Sequence, residues 1–191
     1  AILIAVGGGV LGHGSYTLMN TYTTNYGVEV LGYAAMEFTM ALTIGSLLQL
    51  ITIPAFGALA NRFGSARVVG WGALGTLLAA FPLYWFILDA TFLTLVLIMV
   101  VGGILPTASW AALGGMMGDL FDEKARYTAL AVSYNIAAAL AATLPFFLTL
   151  MRVQTDNAWW HPGIVLAGLS AITLVAAYAA MRRKSVFSSQ A

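Results

Sequence analysis

Apolar residues fall into six stretches of about 20 residues, separated by short polar breaks. A helix rises about 1.5 Å per residue, so each stretch is long enough to cross roughly 30 Å of hydrocarbon. The pattern predicts six transmembrane helices, near residues 1–25, 35–59, 68–88, 92–117, 127–150 and 162–181. The short alternating segments of a membrane β-barrel are not present. The predicted fold is therefore an all-α integral membrane bundle of six helices over residues 1–184, followed by a tail at 185–191.

The composition agrees with a membrane location. Hydrophobic residues make up 61% of the chain and charged residues 8%, against about 25% charged in a soluble domain. The net charge of +1 gives no reason to expect a nucleic acid partner, and the absence of cysteine excludes disulfides and thiolate metal sites. The chain begins at Ala1 without Met or a basic segment, which favours a truncated or excised start over a cleaved signal peptide.

Basic residues lie almost entirely on one side of a six-helix arrangement, with Arg152 as the exception. They are Arg62 and Arg67 in the second connection, Lys124 and Arg126 in the fourth, and Arg182, Arg183 and Lys184 in the tail. Because Lys and Arg accumulate on the cytoplasmic side, both termini are predicted to be cytoplasmic. Two aromatic pairs then fall at the outer membrane interface, with burial in the core as the alternative: Tyr84 with Trp85, and Trp159 with Trp160.

The six spans differ in polarity. The third and sixth are nearly all apolar and are expected to face lipid, whereas the first, second, fourth and fifth are expected to surround an aqueous path. A stripe of four polar residues lies within roughly a 120° arc of the second helix. The alternative for this stripe is a packing seam between helices. The predicted path residues are His13, Asn20, Thr39, Thr43, Ser46, Gln49, Ser109, Trp110, Tyr134 and Asn135.

His13 lies near the middle of the first span, between Gly12 and Gly14. An ionisable group at membrane depth is costly, which favours a functional role as a substrate contact or proton relay. The alternative is a neutral imidazole that bonds to a neighbouring helix, with the glycines allowing close packing. Pro106 in the fourth span is expected to bend its helix rather than to contact a solute.

Residues 57–67 form a short polar connection between two spans. Gly57 is expected to allow close approach of helix backbones and Gly64 to take a positive φ. The run resembles the G-x-L-x-D-R-x-G-R-R signature between the second and third helices of a six-helix repeat in the major facilitator superfamily. Four residues match, namely Gly57, Leu59, Arg62 and Gly64; Asn61 replaces the acid, Ser65 and Ala66 replace basic residues, and Arg67 follows one step later. These departures resemble the degenerate copy in the second half of such transporters.

Residues 118–131 carry a second resemblance. They are similar to the E-L-F-P-T-x-x-R-Y-T-A-L pattern of the metabolite:proton symporter branch, whose members carry organic acids and zwitterionic osmolytes inward with protons. The matching residues are Asp119, Leu120, Phe121, Arg126, Tyr127 and Thr128, and Asp122 replaces the proline.

The resemblance implies a fold and a mechanism. Members of the family have twelve helices in two pseudo-symmetric halves, with the substrate between them and access alternating as the halves rock. This chain would be the C-terminal half, with the N-terminal half as its partner, in a bacterial inner membrane. A proton gradient would drive transport of a small organic solute, without a cofactor.

The family also implies a conformational latch between the two cytoplasmic connections. The acid at the end of the fourth span contacts the arginines of the loop signature in these proteins. Asp119 is therefore predicted to lie within salt-bridge or water-bridged range of Arg62 or Arg67. The latch set is Gly57, Asn61, Arg62, Gly64, Arg67, Asp119 and Arg126.

Two other function classes are alternatives to transport. An intramembrane enzyme needs a nucleophile with a base, or a metal cage, at one depth. The chain has neither H-E-x-x-H nor G-x-S-x-G, and its two histidines lie in the first span and the last outer connection, so no enzyme and no metal are expected. The remaining alternative is a membrane scaffold or assembly subunit that does not transport.

Overall fold

The described part of the chain is built from six long helices. The structure is a computed structural model that describes residues 1–188, with side chains as far as Arg183. The helices are α1 (Ile2–Glu29), α2 (Ala35–Phe63), α3 (Ser65–Phe86), α4 (Phe92–Gly118), α5 (Arg126–Gln154) and α6 (His161–Ser188). All six are long and apolar enough to cross a membrane, and no strand occurs within residues 1–188. The predicted all-α, six-helix fold is confirmed.

The C-terminal tail predicted at residues 185–191 falls only partly within the described chain. Helix α6 continues without a break to Ser188, so residues 185–188 are helical. Residues 189–191 lie outside the described residues.

Helices α1 and α4 form the centre of the bundle. Helix α1 packs against α4, α5 and α6, while α4 packs against α1, α2 and α3, and α3 also lies along α6. Helix α2 has α4 as its main neighbour, and α5 has α1. Most of the surface of α2 and α5 is therefore left uncovered by the rest of the chain.

Helices α3 and α6 are less peripheral than their composition predicted. About half of the apolar part of α3 is buried, and a third of that of α6, far more than of α2. Small residues explain this, since Gly72 lies directly against Ser109 of α4 and Gly70 packs against Ala177 of α6. Each helix exposes one apolar side only, exemplified by Leu78 on α3.

Two spans are locally irregular. In α1, residues Leu18–Thr23 form a π-helical segment, in which the Thr23 hydroxyl donates to the Leu18 carbonyl at 2.9 Å. π-Segments are rare and frequently occur at functional sites. Helix α5 is interrupted at Thr143, because Pro145 in the next turn cannot donate a backbone hydrogen bond.

The connection between α2 and α3 is shorter than the sequence predicted. Helix α2 runs through most of the polar run to Phe63, and Gly64 alone joins it to Ser65. Gly64 has φ +96°, the positive value expected of it. The expectation for Gly57 is wrong in this chain, because no atom lies within 4 Å of the position of an added Cβ.

The aromatic residues near the ends of α3 and α6 divide between exposed and buried positions. Trp85 is exposed and meets Trp159 edge-on, with ring centroids 4.9 Å apart. Tyr84 was expected at the interface but is buried, and its hydroxyl lies 2.8 Å from that of Thr23. Burial against the π-helical segment of α1 accounts for this difference.

Candidate functional site

A cavity of about 240 Å³ lies halfway along the bundle between α1, α2 and α4. We call it the central cavity. Its wall is mainly apolar, with a few polar groups. None of its described lining residues is Asp, Glu, Lys or Arg. Its lining residues are Gly12, Ser15, Tyr16, Met19, Asn20, Gln49, Ile53, Gly102, Gly103, Pro106, Thr107 and Trp110. An uncharged, mainly apolar pocket with a few polar groups suits recognition by hydrogen bonds and ring contacts.

Two further cavities lie on the α5 side of Trp110. The α4–α5 cavity, about 590 Å³, includes Leu113, Met117, Tyr127, Tyr134 and Asn135. The His13 cavity, about 260 Å³, is lined by His13, Tyr16, Thr17, Trp110, Ala138, Ala141 and Ala142. Trp110 lines all three cavities, so its side chain stands where they meet.

Three rings from three helices meet at this junction, and we call them the ring cluster: His13, Trp110 and Tyr134. The His13 ring lies 4.7 Å from the Trp110 ring and 4.4 Å from the Tyr134 ring, edge-on to both. A Cβ at Gly12 would overlap the Trp110 ring, so the glycine lets the indole lie across α1. The sequence predicted these three residues on the path, and the fold brings them together.

The ring nitrogens of His13 have different surroundings. Nδ1 lies 3.0 Å from the Gly9 carbonyl oxygen, which can only accept, so Nδ1 carries the hydrogen. Nε2 is buried and has no hydrogen-bond partner. The expected alternative, a bond to a neighbouring helix, is wrong, because the one bond of His13 is to its own helix.

Two amide side chains of the predicted path are partly anchored. The Asn20 amide donates to the Tyr16 carbonyl at 3.0 Å, and the Asn135 amide donates to the Ala131 carbonyl at 2.8 Å. Gln49 reaches from α2 across the backbone of Gly103. Asn20 and Gln49 thus lie on opposite walls of the central cavity, and Asn135 lies in the α4–α5 cavity.

The α2 stripe consists of Thr39, Thr43, Ser46 and Gln49. The hydroxyls of Thr39 and Thr43 donate to carbonyls one turn earlier, at 2.9 and 2.8 Å. Thr39, Thr43 and Ser46 are exposed, and only Gln49 of the four lines the central cavity. No other described helix covers the three, so the stripe is not a packing seam within this chain.

Ser109 lines none of the three cavities. It is buried, and its hydroxyl donates to the Val69 carbonyl of α3 at 2.9 Å. Neighbouring residues of a helix point about 100° apart, so Ser109 faces α3 when Trp110 faces the cavities. The sequence-based placement of Ser109 is therefore corrected.

The predicted latch residues gather at one end of the bundle. Arg62 stacks over the Phe63 ring at 5.2 Å, and Arg67 donates to the Phe63 carbonyl at 3.2 Å.

Asp119 is exposed at the C-terminal end of α4. This end lies near the start of α3, since a Cβ at Gly115 would overlap Ser65. Asn61 is exposed at the same end, and Arg126 begins α5 with a 3.4 Å bond to the Phe121 carbonyl. Pairing of Asp119 with an arginine stays a prediction.

Sequence reasoning missed a polar cluster at the opposite end of α1, which we call the outer cluster. The Tyr22 hydroxyl bonds to Nε2 of His161, and Nδ1 of His161 donates to the Ala158 carbonyl. The Tyr26 hydroxyl donates to the Asn157 carbonyl at 2.9 Å. Tyr22 and Tyr26 are one turn apart on α1, and this spacing was the available signal.

A salt bridge extends the outer cluster towards the surface. Arg152 of α5 and Glu29 of α1 approach to 3.0 Å. The connection between α5 and α6 contains Asp156 and Asn157, both with positive φ. The cluster therefore fixes the C-terminal end of α1 to the connection between α5 and α6.

A family model described as Major Facilitator Superfamily matches residues 4–190. The chain belongs to this superfamily. No solved structure matches it significantly.

Three relatives illustrate its neighbourhood in the superfamily. The chain is 26% identical to the inner membrane metabolite transport protein YhjE of Escherichia coli, covering 85% of this chain and 40% of that protein. It is 26% identical to the shikimate transporter of Escherichia coli, covering 82% and 37%. It is 22% identical to the glycine betaine/proline/ectoine/pipecolic acid transporter OusA of Dickeya dadantii, covering 92% and 35%.

These names describe transport proteins rather than enzymes. The chain spans well under half of the length of these curated relatives.

Proposed function

We propose that this chain is one half of a secondary active transporter in a bacterial inner membrane, with both termini cytoplasmic. It carries a small organic solute by alternating access, together with a second six-helix half, in symport with protons. One observation carries the proposal: an uncharged cavity with a few polar groups lies halfway along the bundle beside α2, a helix that the rest of the described chain leaves largely uncovered.

The uncovered surface of α2 has two different flanks. At about 100° per residue, the α2 stripe lies on the flank that also carries Ile53 of the central cavity. The opposite flank carries exposed apolar residues such as Ile44 and Leu48. The flank with the stripe, which also carries the exposed Leu50, is suited to a partly polar path, and the flank with Ile44 and Leu48 is suited to lipid.

Helix α5 has the same asymmetry. Tyr134, Asn135 and Ala138 face the cavities. Val132, Ile136 and Leu140 are exposed on the other side. A second half seated between the polar flanks of α2 and α5 would close the cavities over a solute. The greater length of the relatives leaves room for such a half.

The chemistry of the site limits the solute class. Asn20, Gln49 and Thr107 offer neutral donors and acceptors, and Trp110 offers a ring face. Shikimate and glycine betaine, named for two relatives, are small charged or zwitterionic solutes. We propose a carboxylate or osmolyte of this kind, whose charge is met mainly by the second half.

Uptake into proteoliposomes tests the proposal. The full-length transporter that contains this chain is reconstituted and given radiolabelled shikimate, glycine betaine and a panel of mono-, di- and tricarboxylates. Saturable uptake of one class is expected. No uptake of any solute, from correctly folded protein, would favour the scaffold alternative.

Cysteine accessibility tests the position of the path. This chain has no cysteine, so Thr43→Cys and Ser46→Cys can be introduced singly into an otherwise Cys-free transporter. Both are expected to react with small water-soluble thiol reagents and to be protected by the solute. Leu77→Cys and Val175→Cys, on α3 and α6, are the controls and are expected to stay unreactive. If none of the four cysteines reacts, the stripe does not face water, and it is better explained as a packing seam against the second half.

A further inference from the structure

We infer that His13 binds the co-transported proton through Nε2, halfway along α1. The inference rests on the proposed function, because it assigns the coupling residue of that transporter. Within the central, α4–α5 and His13 cavities, His13 is the one described side chain whose charge ordinarily changes between about pH 5 and pH 8.

The surroundings of His13 contain no competing charge. Helix α4 presents Trp110 to it, and α5 presents Tyr134 together with alanines. On its own helix, Tyr16 and Thr17 line the same cavity. The titratable side chains that face His13 are therefore the phenols of Tyr16 and Tyr134.

The bonding of the two ring nitrogens leaves one place for a proton. Nδ1 already carries hydrogen and donates it to the Gly9 carbonyl. Nε2 has a lone pair, no hydrogen-bond partner and no contact with solvent. A closed-off nitrogen does not contact a solute in this conformation, which favours the proton over the solute as its ligand.

The step is a simple proton transfer. Water on one side of the membrane gives a proton to the Nε2 lone pair, and the imidazolium keeps its Nδ1–H bond to Gly9. The Trp110 and Tyr134 rings, with centroids 4.7 and 4.4 Å from that of His13, lie within the distance at which aromatic rings attract a cation. Release of the Nε2 proton to water on the other side restores the neutral ring. Trp110 and Tyr134, 38% and 42% exposed, are the side chains whose movement uncovers Nε2.

The second histidine provides a contrast. Both ring nitrogens of His161 are engaged, by Ala158 and by Tyr22. His161 is fully buried in the outer cluster, away from the three cavities. These two hydrogen bonds indicate a structural role for His161. In His13, by contrast, Nε2 has no hydrogen-bond partner in the described chain.

Nitrogen-15 NMR of the histidine-labelled full-length transporter tests proton binding without any solute. The Nε2 signal of His13, assigned by its loss in His13→Gln, is expected to move from the unprotonated to the protonated value as the pH is lowered. If His13→Gln does not fold, His13→Asn serves for the assignment. A His13 signal that stays unprotonated throughout would overturn the inference.

Flux measurements test coupling. In one-to-one symport, a gradient of about one pH unit drives about tenfold accumulation of solute. Wild-type proteoliposomes given labelled shikimate or glycine betaine are expected to reach this level. His13→Gln is expected to exchange solute at a similar rate without accumulating it. Ser133→Ala, which removes another buried and unpartnered polar atom near α1, is the matched control and should accumulate normally.

The outcomes separate the two proposals. Accumulation by His13→Gln at the wild-type level would overturn the role of His13 and leave transport intact. A wild-type protein that moves the solute only downhill would likewise overturn it. A folded protein that takes up no solute of the whole panel would contradict the proposed function, and the NMR titration would still decide whether His13 binds a proton.

Discussion

At the scale of single residues, one glycine decides the shape of the site. Gly12 lies directly beneath the Trp110 ring, in a position where a Cβ would overlap the indole. The missing side chain allows Trp110 to reach His13 and to stand between the three cavities. The separation of the cavities therefore depends on Gly12 having no Cβ.

Replacing this glycine tests the argument. Alanine favours a helix over glycine by about 1 kcal/mol, but overlap with a rigid ring costs about 1–3 kcal/mol. Gly12→Ala is expected to lower the midpoint of thermal unfolding in detergent. Gly168→Ala on α6, where no atom lies within 4 Å of the added Cβ, is expected to hold or raise it. Equal midpoints would mean that Trp110 moves aside without cost.

At the scale of elements, the sequence predicted the helices well and their irregularities poorly. Six apolar stretches predict six spans, because bilayer thickness sets helix length. The π-helical segment Leu18–Thr23 contains neither Gly nor Pro, so no local signal marks it. It is associated with distant contacts such as Tyr22 with His161, 139 residues apart. Ser109 was misplaced for a similar reason, because a hydroxyl on a helix satisfies a neighbouring carbonyl as readily as a solute.

The outer cluster gives a prediction about α1. Tyr22→Phe removes the hydroxyl that bonds to His161 and leaves a buried ring nitrogen without its partner. Such a loss costs about 1–3 kcal/mol, so the unfolding midpoint is expected to fall. Tyr178→Phe, which changes an exposed tyrosine on α6, is the matched control and should have little effect. If the unfolding midpoints of Tyr22→Phe and Tyr178→Phe are similar, the hydrogen bond of Tyr22 to His161 does not stabilise the fold.

At the scale of the whole molecule, the chain has two chemically different ends. The connections after α2 and α4 lie at one end with most of the basic residues, and those after α1, α3 and α5 lie at the other. Reporter fusions after Arg67, Lys124 and Arg183 are expected to behave as cytoplasmic. Fusions near Glu29, Asp89 and Asn157 are expected to behave as external. A periplasmic signal at Lys124 would contradict the proposed orientation.

The basic end also carries the predicted latch. Asp119 at the end of α4 lies on the same side of the bundle as Arg62 and Arg67. A partly solvated ion pair is worth about 1 kcal/mol or less, so its loss changes a ratio of conformers by up to about fivefold with little effect on folding. Asp119→Asn is expected to shift the transporter towards the inward-open state, measured by cysteine accessibility from each side. Asp122→Asn, exposed in the same connection, is the matched control. If Asp119→Asn leaves both transport rate and accessibility unchanged, Asp119 has no part in holding the inner side closed.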